Sequence, residues 1–364
     1  MSFKHIKLLS AAVLFLGVFS GSAVAAEKAE MKIQKPIVIQ EQGSFAAGGS
    51  VITTPGTFNP QKLMDPKGQT LHGDHVSVFY QIPAKARKYP LVFLHGASQS
   101  ARTWQTTPDG REGFQNIFLR RNYSVYLVDQ PRRGQAARST VAGTISAATD
   151  DQVMFDMCRV GQWPNFFPGV QFPKDKNSLN QYFRQMTPNT GAYDPDVISD
   201  ALTAALDKIG PSILVTHSQG GGPGWLTAMK SKKVKAVVAY EPGSQYVFPE
   251  GEVPEDMPSG TGPLKGYPVP LKDFMQLTKI PIVVYYGDNI PTEISDNPGQ
   301  DNWRVRLKMA RIWVNTINRH GGDATLVHLP EIGIYGNTHF MFSDLNNVQI
   351  ADLLSKWLKD KGLD

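Results

Sequence analysis

Ser218 is the residue of this chain that is best placed to act as a nucleophile. It lies in the run VTHSQGGG at positions 215–222, where a buried apolar strand ends and a helix is predicted to start at once. Such a tight strand–turn–helix connection exposes a serine hydroxyl above a sheet, provided that the residues two before and two after it are small. Gly220 meets this condition, whereas Thr216 stands where glycine is usual, so its methyl group must find room. The alternative is a serine that only caps a helix.

The histidine that activates this serine is predicted to be His339. A serine hydroxyl is a weak nucleophile until a base accepts its proton, so a histidine must lie within reach. His339 stands in the run GNTHFM at 336–341, which is predicted to be a loop between the last strand and the last helix, over the strand ends. His217 is expected to point away from the serine hydroxyl. His5 is expected to leave with the signal peptide, and the remaining histidines are predicted to lie elsewhere in the fold: His72, His75, His95, His320 and His328.

Two carboxylates are candidates for the acid that orients His339 and stabilises its protonated form. Glu241 follows the apolar strand at 237–240, and Asp288 follows the next predicted strand at 280–286. Either position can reach a histidine on the last loop, because the carboxyl ends of parallel strands lie at one edge of a sheet. Spacing alone slightly favours Asp288, since aspartate is the more common residue in this role, and it leaves both acids open.

Two backbone N–H groups are predicted to hold the negative charge of an acyl-transfer intermediate. One belongs to Gln219, at the start of the helix after the nucleophile, where N–H groups lack helical partners and the helix dipole is positive. The other is assigned to Ala97, which follows His95 and Gly96 after the strand at 91–94. Gly96 lets the backbone turn closely there, and His95 is expected to be a packed residue behind the site.

The elements that must position these residues are predicted from apolar runs that alternate with helical segments. Continuous Val, Ile and Leu runs between helices predict a mostly parallel, twisted sheet with helices on both faces. The predicted strands cover 91–94, 123–129, 212–216, 234–240, 280–286 and 324–329, and the predicted helices cover 112–121, 196–209, a segment that ends near 230, 303–318 and 347–359. Earlier strand-like runs at 36–40 and 75–82 predict antiparallel strands at one edge.

Two segments interrupt this alternation. One covers about 140–195 and is rich in aromatic residues, and the other covers about 244–279 and contains six prolines. Both follow strand ends, and ligands bind beyond the carboxyl ends of strands in open α/β sheets. We therefore expect a cap insertion and a Pro-rich loop that could roof a pocket. For the aromatic segment a satellite core is the alternative, and the two roles are compatible.

Composition and charge narrow the class of protein. The chain has 364 residues, of which 41% are hydrophobic and 10% are aromatic, so disorder is excluded as its main state. The net charge is only +5, and no run of five basic residues occurs. Nucleic-acid binding is therefore not expected.

Residues 1–25 are predicted to be a secretory signal peptide. Two lysines precede an apolar stretch at 8–19 that is too short to cross a bilayer comfortably, and a small-x-small cleavage pattern follows at 23–25. An uncleaved membrane anchor is the alternative. The remaining residues, 26–364, are expected to form a periplasmic or secreted domain that has no membrane contact after cleavage.

Neither a metal nor a cofactor is expected. Cys158 is the only cysteine, which excludes an intramolecular disulfide and Cys-rich zinc sites, and its thiol is expected to be buried and inert. The run HGDH at 72–75 offers no third metal ligand at a fixed spacing. Phosphate-binding and dinucleotide-binding motifs are lacking as well.

Several stretches of the chain together resemble a known superfamily. They are YQIP at 80–83, HG at 95–96, TTPDGR at 106–111, FLRR at 118–121, VDQ at 128–130, HSQG at 217–220, YEPG at 240–243 and GNTH at 336–339. The chain resembles the α/β-hydrolase superfamily and, within it, small secreted bacterial esterases typified by an Alcaligenes esterase with two adjacent cysteines in its oxyanion loop. The resemblance implies an α/β-hydrolase fold.

The resemblance also implies roles for individual residues. In that family the acid lies in a Glu-Pro-Gly turn after the strand that follows the nucleophile, which implies Glu241 and reverses the preference for Asp288. Where the family has adjacent cysteines, this chain has Ala97 and Ser98, so a vicinal disulfide is absent. Backbone N–H donation by Ala97 does not need sulfur.

The function implied is that of a secreted, cofactor-free serine esterase that cleaves a small carboxylic ester through an acyl-enzyme. An amidase, a peptidase or an acyltransferase with the same triad is an alternative, because all of them share this intermediate. A periplasmic binding protein that reuses the fold without chemistry is an alternative from another class. The sequence leaves a monomer and a homodimer both open.

Overall fold

The alternating apolar runs form one large sheet with helices packed against it. The structure is a computed structural model that describes residues 35–243 and 245–364. Residues 37–364 form one compact unit. The signal peptide predicted at 1–25 lies outside the described residues.

The secondary structure of the described residues consists of strands and helices, numbered in chain order. The strands are β1 (Ile39–Ala47), β2 (Ser50–Thr53), β3 (Thr70–Gly73), β4 (Val76–Pro83), β5 (Leu91–Leu94), β6 (Val125–Asp129), β7 (Gly161–Gln162), β8 (Asn165–Phe166), β9 (Ser212–His217), β10 (Val234–Tyr240), β11 (Val247–Pro249), β12 (Tyr267–Val269), β13 (Pro281–Tyr286) and β14 (Asp323–His328). The α-helices are α1 (Phe114–Arg120), α2 (Asp151–Met157), α3 (Lys176–Phe183), α4 (Pro195–Ile209), α5 (Gly221–Lys230), α6 (Leu271–Phe274), α7 (Pro298–Arg319) and α8 (Asn347–Asp360).

Eight strands form the main sheet in the order β1-β4-β6-β5-β9-β10-β13-β14. Neighbours from β6 to β14 are parallel, whereas β4 is antiparallel to both β1 and β6. The predicted parallel sheet with antiparallel strands at its N-terminal edge is therefore confirmed. All six residues of β9, which leads to Ser218, are buried, as expected for a strand covered on both faces.

Successive residues of β9 point to opposite faces of the sheet. Ile213 and Val215 belong to one hydrophobic cluster, with residues of α1 and α8, and Leu214 belongs to the other, with residues of α4, α5 and α7. This alternation follows from the two-residue period of a strand. Because helices cover both faces of the sheet, a ligand is expected to bind at the edge where the parallel strands end.

Two predicted elements have a boundary that differs from the structure by three residues or more. The strand predicted at 36–40 begins at Ile39 and continues to Ala47, because an edge strand with mostly exposed residues lacks the apolar signal of a buried one. The helix predicted to begin at 303 begins at Pro298, where the Asn297 side chain accepts a hydrogen bond from the Gln300 N–H and caps it. This earlier start matters for the site, since the first turns of α7 lie beside it.

The aromatic segment at 140–195 contains α2, the β7–β8 hairpin and α3. Its buried side chains, including Phe155, Phe172 and Tyr182, belong to the same hydrophobic cluster as the helices α1 and α8. They therefore extend the main core on one face and do not form a separate satellite core. The segment at 245–279 contains β11, β12 and α6, and Phe274 joins the cluster on the opposite face. None of the helices described is long and apolar enough to cross a membrane.

Candidate active site

Ser218 lies on a sharp turn between β9 and α5. Its φ angle is +53°, in the left-handed region, and a short 3-10 turn at Ser218–Gly220 connects it to the helix. A non-glycine residue in this region carries backbone strain that the surrounding structure must hold. Gly220 fits because a Cβ there would lie 2.6 Å from the His95 carbonyl oxygen. The turn therefore has the geometry that the sequence motif predicts.

The side chain of Thr216 fits because it packs against Gly224 of α5, which has no side chain. Its side chain is fully buried, and a Cβ on Gly224 would lie only 2.7 Å from the Thr216 methyl carbon. The space that glycine usually leaves on the strand is thus supplied by the helix that packs against it. The Thr216 hydroxyl finds no hydrogen-bond partner in the described part of the chain, so the residue contributes its shape and not its polarity.

His339 is held in place by its backbone. Its N–H donates to the Cys158 carbonyl oxygen at 2.9 Å, and its own carbonyl oxygen accepts from His217 Nε2 at 3.0 Å. Burial keeps the pKa of His217 well below its usual value, so this ring is a neutral donor at Nε2. His217 thus fixes the loop that carries His339, and no hydrogen bond in the described chain joins its ring to the Ser218 hydroxyl.

A buried carboxylate, Asp344, ties the same loop together. It accepts hydrogen bonds from the Thr338 N–H at 2.7 Å, the Thr338 hydroxyl at 2.8 Å and the Asn337 amide at 3.1 Å. Burial raises the pKa of Asp344 to about 7, and these donated bonds only partly oppose that effect. The sequence reasoning missed this residue, and no local signal distinguishes it from an ordinary surface aspartate.

Glu241 is the carboxylate that meets the His339 ring. Its Oε2 lies 2.6 Å from His339 Nδ1, and its Oε1 accepts the Gly287 N–H at 2.7 Å and a hydrogen bond from Arg159 Nη2. The side chain is completely buried, which by itself raises its pKa. The charge of Arg159 and the hydrogen bond from His339 outweigh burial, so the pKa of Glu241 is below its usual value. The carboxylate is therefore ionised.

Asp288 lies at the end of the neighbouring strand but does not face His339. Its carboxylate accepts the N–H groups of Gly336 at 2.6 Å and Asn289 at 2.7 Å, and its carbonyl oxygen accepts from Arg159 Nε at 2.8 Å. Asp288 thus holds the start of the loop that carries His339. Of the two acids considered from the sequence, the structure brings Glu241 to the imidazole, as the family resemblance implies.

The environment of His339 keeps its imidazole neutral. Burial lowers the pKa of His339, Glu241 raises it, and the nearby cations Arg159 and Arg306 lower it again, with a net shift below the usual value. The Trp303 ring packs against the imidazole with 4.2 Å between ring centroids. With Nδ1 donating to Glu241, the free Nε2 is available to accept a proton.

Ser218 and His339 line one cavity of about 380 Å³. Its other walls include Ala97 of the loop after β5, Met154 and Met157 of α2, Trp303 of α7, and Phe340 of the loop that carries His339. No hydrogen bond joins the Ser218 hydroxyl to the His339 ring within residues 35–243 and 245–364. Such bonds are often long before substrate binds and tighten in the complex.

The two predicted oxyanion donors both have free N–H groups. Neither the Ala97 N–H nor the Gln219 N–H donates to an acceptor anywhere in the described chain, and both residues line the cavity. The loop passes close to the nucleophile, since a Cβ on Gly96 would lie 2.7 Å from the Ser218 Cβ. Two unpaired donors beside a serine hydroxyl can accept a developing negative charge.

Buried polar residues hold the loop after β5, which carries the predicted oxyanion donor Ala97, in its conformation. His95 is completely buried, its pKa is lowered to about 3, and its Nδ1 donates to the Gly96 carbonyl oxygen at 3.0 Å. Arg133 Nη1 donates to the same oxygen at 2.7 Å, and its Nη2 contacts the Gln219 side chain at 3.4 Å. His95 is thus the packed residue that the sequence reasoning expected. Arg133 was missed.

The two insertions, at 140–195 and at 245–279, contribute unequally to the lining of this cavity. The lining of the cavity includes Met154 and Met157 of α2, from the aromatic segment. It includes no described residue of 245–279, although Thr261 in that segment donates to the side chain of Asn302, which lines the cavity. The described part of the Pro-rich segment therefore supplies no wall of this cavity and contacts α7 through Thr261.

Neither a metal site nor a reactive thiol accompanies these residues. Within the described ranges, no group of three or more His, Cys, Asp and Glu side chains is arranged to hold a metal ion. Cys158 is buried, and burial raises the pKa of its thiol to about 12. Its carbonyl oxygen serves the site by holding His339, but its sulfur is protonated and inert, as expected.

Three comparisons relate the chain to known proteins. The sequence profile described as the alpha/beta hydrolase family matches residues 91–324. A solved structure of a novel bacterial esterase is 29% identical in sequence, with a TM-score of 0.72 over 90% of this chain and 98% of that chain. A probable secreted lipase, phiG, of a fungal species is 28% identical over 302 residues, which are 74% of this chain and 82% of the lipase. The chain therefore belongs to the alpha/beta hydrolase family, with the fold and sequence of a hydrolase.

Proposed function

We propose that this protein is a serine carboxylic-ester hydrolase in which Ser218 is the nucleophile, His339 the base and Glu241 the acid. One observation carries the proposal. The ionised carboxylate of Glu241 lies 2.6 Å from Nδ1 of a neutral imidazole that shares a cavity with a serine on a strained turn. This is the order of contacts that nucleophilic catalysis by serine needs.

In the first half of the reaction, His339 Nε2 accepts the proton of the Ser218 hydroxyl while Oγ bonds to the ester carbonyl carbon. The carbonyl π electrons move to oxygen, and the N–H groups of Gln219 and Ala97 donate to that oxyanion. Glu241 stabilises the imidazolium that forms. When the oxyanion collapses, the bond to the alcohol oxygen breaks and the imidazolium gives its proton to the leaving alcohol.

In the second half, a water molecule replaces the alcohol. His339 accepts one proton of that water as its oxygen attacks the acyl carbon, and the same two N–H groups hold the second oxyanion. Collapse then breaks the bond to Ser218 Oγ, which recovers its proton from His339. The products are a carboxylic acid and an alcohol, and the protein returns to its starting state with no cofactor involved.

The names of the similar proteins support an ester, and not an amide, as the substrate of this protein. The two similar proteins described above carry the names esterase and lipase. An amidase, a peptidase and an acyltransferase share the acyl-enzyme, and they differ in the leaving group or acceptor that the cavity admits. A panel of matched short-chain ester and anilide substrates separates these activities, and we expect turnover of the esters.

Two further assignments belong to the same proposal. The segment at 140–195 acts as a cap, because α2 supplies one wall of the cavity. The protein is exported, either to the periplasm or out of the cell, through the signal predicted at 1–25. The name of the fungal relative, a secreted lipase, supports this localisation. Comparison of the N-terminal residue of the protein in whole cells and in the exported fraction tests it.

The proposed chemistry is tested by labelling and by substitution. A fluorophosphonate should label Ser218 in the wild-type protein, identified by peptide mass. Ser218→Ala should lose the label and reduce kcat for 4-nitrophenyl butyrate on the order of 10⁶-fold. Ser231→Ala, which removes another largely buried serine outside the cavity, is the matched control and should keep both. Full turnover by purified Ser218→Ala would overturn the proposal. A wild-type protein that takes up no label at Ser218 and hydrolyses no ester would instead favour a binding protein.

A further inference from the structure

Arg306 places an unpaired positive charge in the active-site cavity. It lies on α7 and lines the cavity together with Ser218 and His339. Of the buried arginines, Arg132 and Arg159 each form an ion pair with a carboxylate, and Arg133 donates to uncharged oxygens with all three of its nitrogens. Arg306 has no carboxylate oxygen within 4.0 Å in the part of the chain that the structure describes, so its charge is not neutralised by the protein.

The hydrogen bonds of Arg306 use only one of its nitrogens. Nη1 donates to the Asn302 carbonyl oxygen at 2.9 Å and also contacts the Asn302 side-chain oxygen. Nε and Nη2 donate to no acceptor within residues 35–243 and 245–364. These two nitrogens are the edge of the guanidinium that binds a carboxylate with two parallel hydrogen bonds.

The free edge lies near the nucleophile. A Cβ placed on Gly243 would be 3.4 Å from the Ser218 Oγ and 3.8 Å from the Arg306 Nε. Both atoms therefore border the same small space. A carboxylate bound by Arg306 is only a few bonds away from a carbonyl carbon that Ser218 attacks, because reacting atoms approach to about 3–3.5 Å and charged hydrogen bonds span about 2.7–2.9 Å.

The surroundings of Arg306 strengthen its interaction with a bound anion. Met154, Met157 and Phe340 give the cavity apolar walls, and the guanidinium carbon of Arg306 lies 5.5 Å from the centroid of the Trp303 ring. Burial lowers the pKa of Arg306, which shows that the site disfavours an isolated cation. A charge in such a place costs free energy unless a counter-ion is supplied, and a carboxylate on a bound substrate supplies one from the cavity side.

We propose that the substrate is an ester that carries a carboxylate a few bonds from the scissile carbonyl, and that Arg306 binds this carboxylate. The inference rests on the proposed function, because it takes Ser218 as the nucleophile. The carboxylate belongs either to the acyl part or to the alcohol part of the ester. Binding by Arg306 is present in substrate and transition state alike, so its loss raises KM more than it lowers kcat.

Two pairs of substrates of nearly equal shape test the charge in the wild-type protein. For the acyl part, the pair is mono-4-nitrophenyl glutarate and 4-nitrophenyl 5-methylhexanoate. For the alcohol part, it is 3-acetoxybenzoate and 3-isopropylphenyl acetate. We expect kcat/KM to favour the carboxylate by about tenfold or more in one pair, which also identifies the part that carries it. Preference for the neutral ester in both pairs overturns the inference.

Substitutions then assign the preference to one side chain. Arg306→Gln should lower kcat/KM for the preferred anionic ester about 10- to 100-fold more than kcat/KM for its neutral partner, and mainly through KM. Arg306→Lys should retain part of the preference. Arg304→Gln is the matched control, since Arg304 lies on the same helix but pairs with Asp301 and is not part of the cavity lining. It should keep the full preference.

The outcomes separate this inference from the proposed function. Equal losses on both esters in Arg306→Gln mean that Arg306 only supports Trp303 and the cavity wall, and the inference is wrong. Loss of fluorophosphonate labelling at Ser218 in the wild-type protein, or full turnover by Ser218→Ala, instead refutes the serine mechanism. Because the wild-type comparison needs no variant, a poorly folding Arg306→Gln protein does not prevent the test.

Discussion

The methyl group of Thr216 occupies the space that a side chain on Gly224 would need. A Cβ on Gly224 would lie 2.7 Å from the Thr216 methyl carbon, and both residues are buried between β9 and α5. The nucleophile turn therefore accepts a β-branched residue on its strand because the helix gives up a side chain. Strand and helix compensate each other across the turn that carries Ser218.

Gly224→Ala is expected to destabilise the protein by about 1–3 kcal/mol, because the added methyl overpacks the contact with Thr216. Helix propensity acts in the opposite direction, since alanine is better than glycine in a helix by about 1 kcal/mol. The double variant Thr216→Gly, Gly224→Ala should recover at least about 1 kcal/mol relative to the sum of the single changes. Urea unfolding of the four proteins measures this coupling, and additive effects would contradict it.

Glu241→Gln is expected to reduce kcat for 4-nitrophenyl butyrate by about 10³- to 10⁴-fold. The amide cannot stabilise the imidazolium, and it can present an N–H where His339 Nδ1 needs an acceptor. Asp288→Asn is the matched control, because its carboxylate binds backbone N–H groups of Gly336 and Asn289 and does not meet the ring. It should cost less than about tenfold. If only Asp288→Asn loses activity, the acid is Asp288.

Arg159 sets how easily His339 takes up a proton. The base must be neutral to act, and the pKa of His339 is lowered below 6.5 by burial first and then by Arg159 and Arg306, against Glu241. Activity should therefore fall only as the pH drops through a value below 6.5. Arg159→Met removes one cation, so the pKa of His339 rises and the acidic limb of kcat/KM moves to higher pH.

The stability of Arg159→Met should also fall, by about 3–5 kcal/mol, because a buried ion pair with Glu241 is broken. Arg159→Lys is the conservative control that keeps the charge, and its acidic limb should stay closer to that of the wild-type protein. An acidic limb that does not move in Arg159→Met, while the protein remains folded, would show that the guanidinium does not act on His339.

Asp344 should make the stability of the protein depend on pH. Its pKa is raised from 3.8 to about 7 by burial, so it contributes stability below pH 3.8 that is lost as the pH rises to about 7. Asp344→Asn stays neutral and lacks this loss. The variant should therefore gain stability relative to the wild-type protein between pH 4 and 7.5, on the order of 4 kcal/mol. A difference that is constant with pH, measured by urea unfolding, would contradict the shift.

The sequence alone determined much of the architecture and several candidates for the site. Buried parallel strands must be apolar throughout, so their positions along the chain and the helices between them could be predicted. The glycine-rich run after β9 marked Ser218. The position of His339 between the last strand and the last helix followed from the same alternation. Edge strand β1 was placed less well, because its exposed residues carry little apolar signal.

The residues and their spacing left the choice of carboxylate open, the family resemblance implied Glu241, and the tertiary structure brings Glu241 to the imidazole. Glu241 and Asp288 follow neighbouring strands, so local pattern places both at the same sheet edge, and the choice depends on side-chain direction, with Glu241 at a φ of +45°. Arg159 and Arg306 come from an insertion and from a long helix whose positions over the sheet are set by packing between distant segments. A buried cation looks like any surface arginine in sequence, because its burial is a property of the folded chain and not of its neighbours along it.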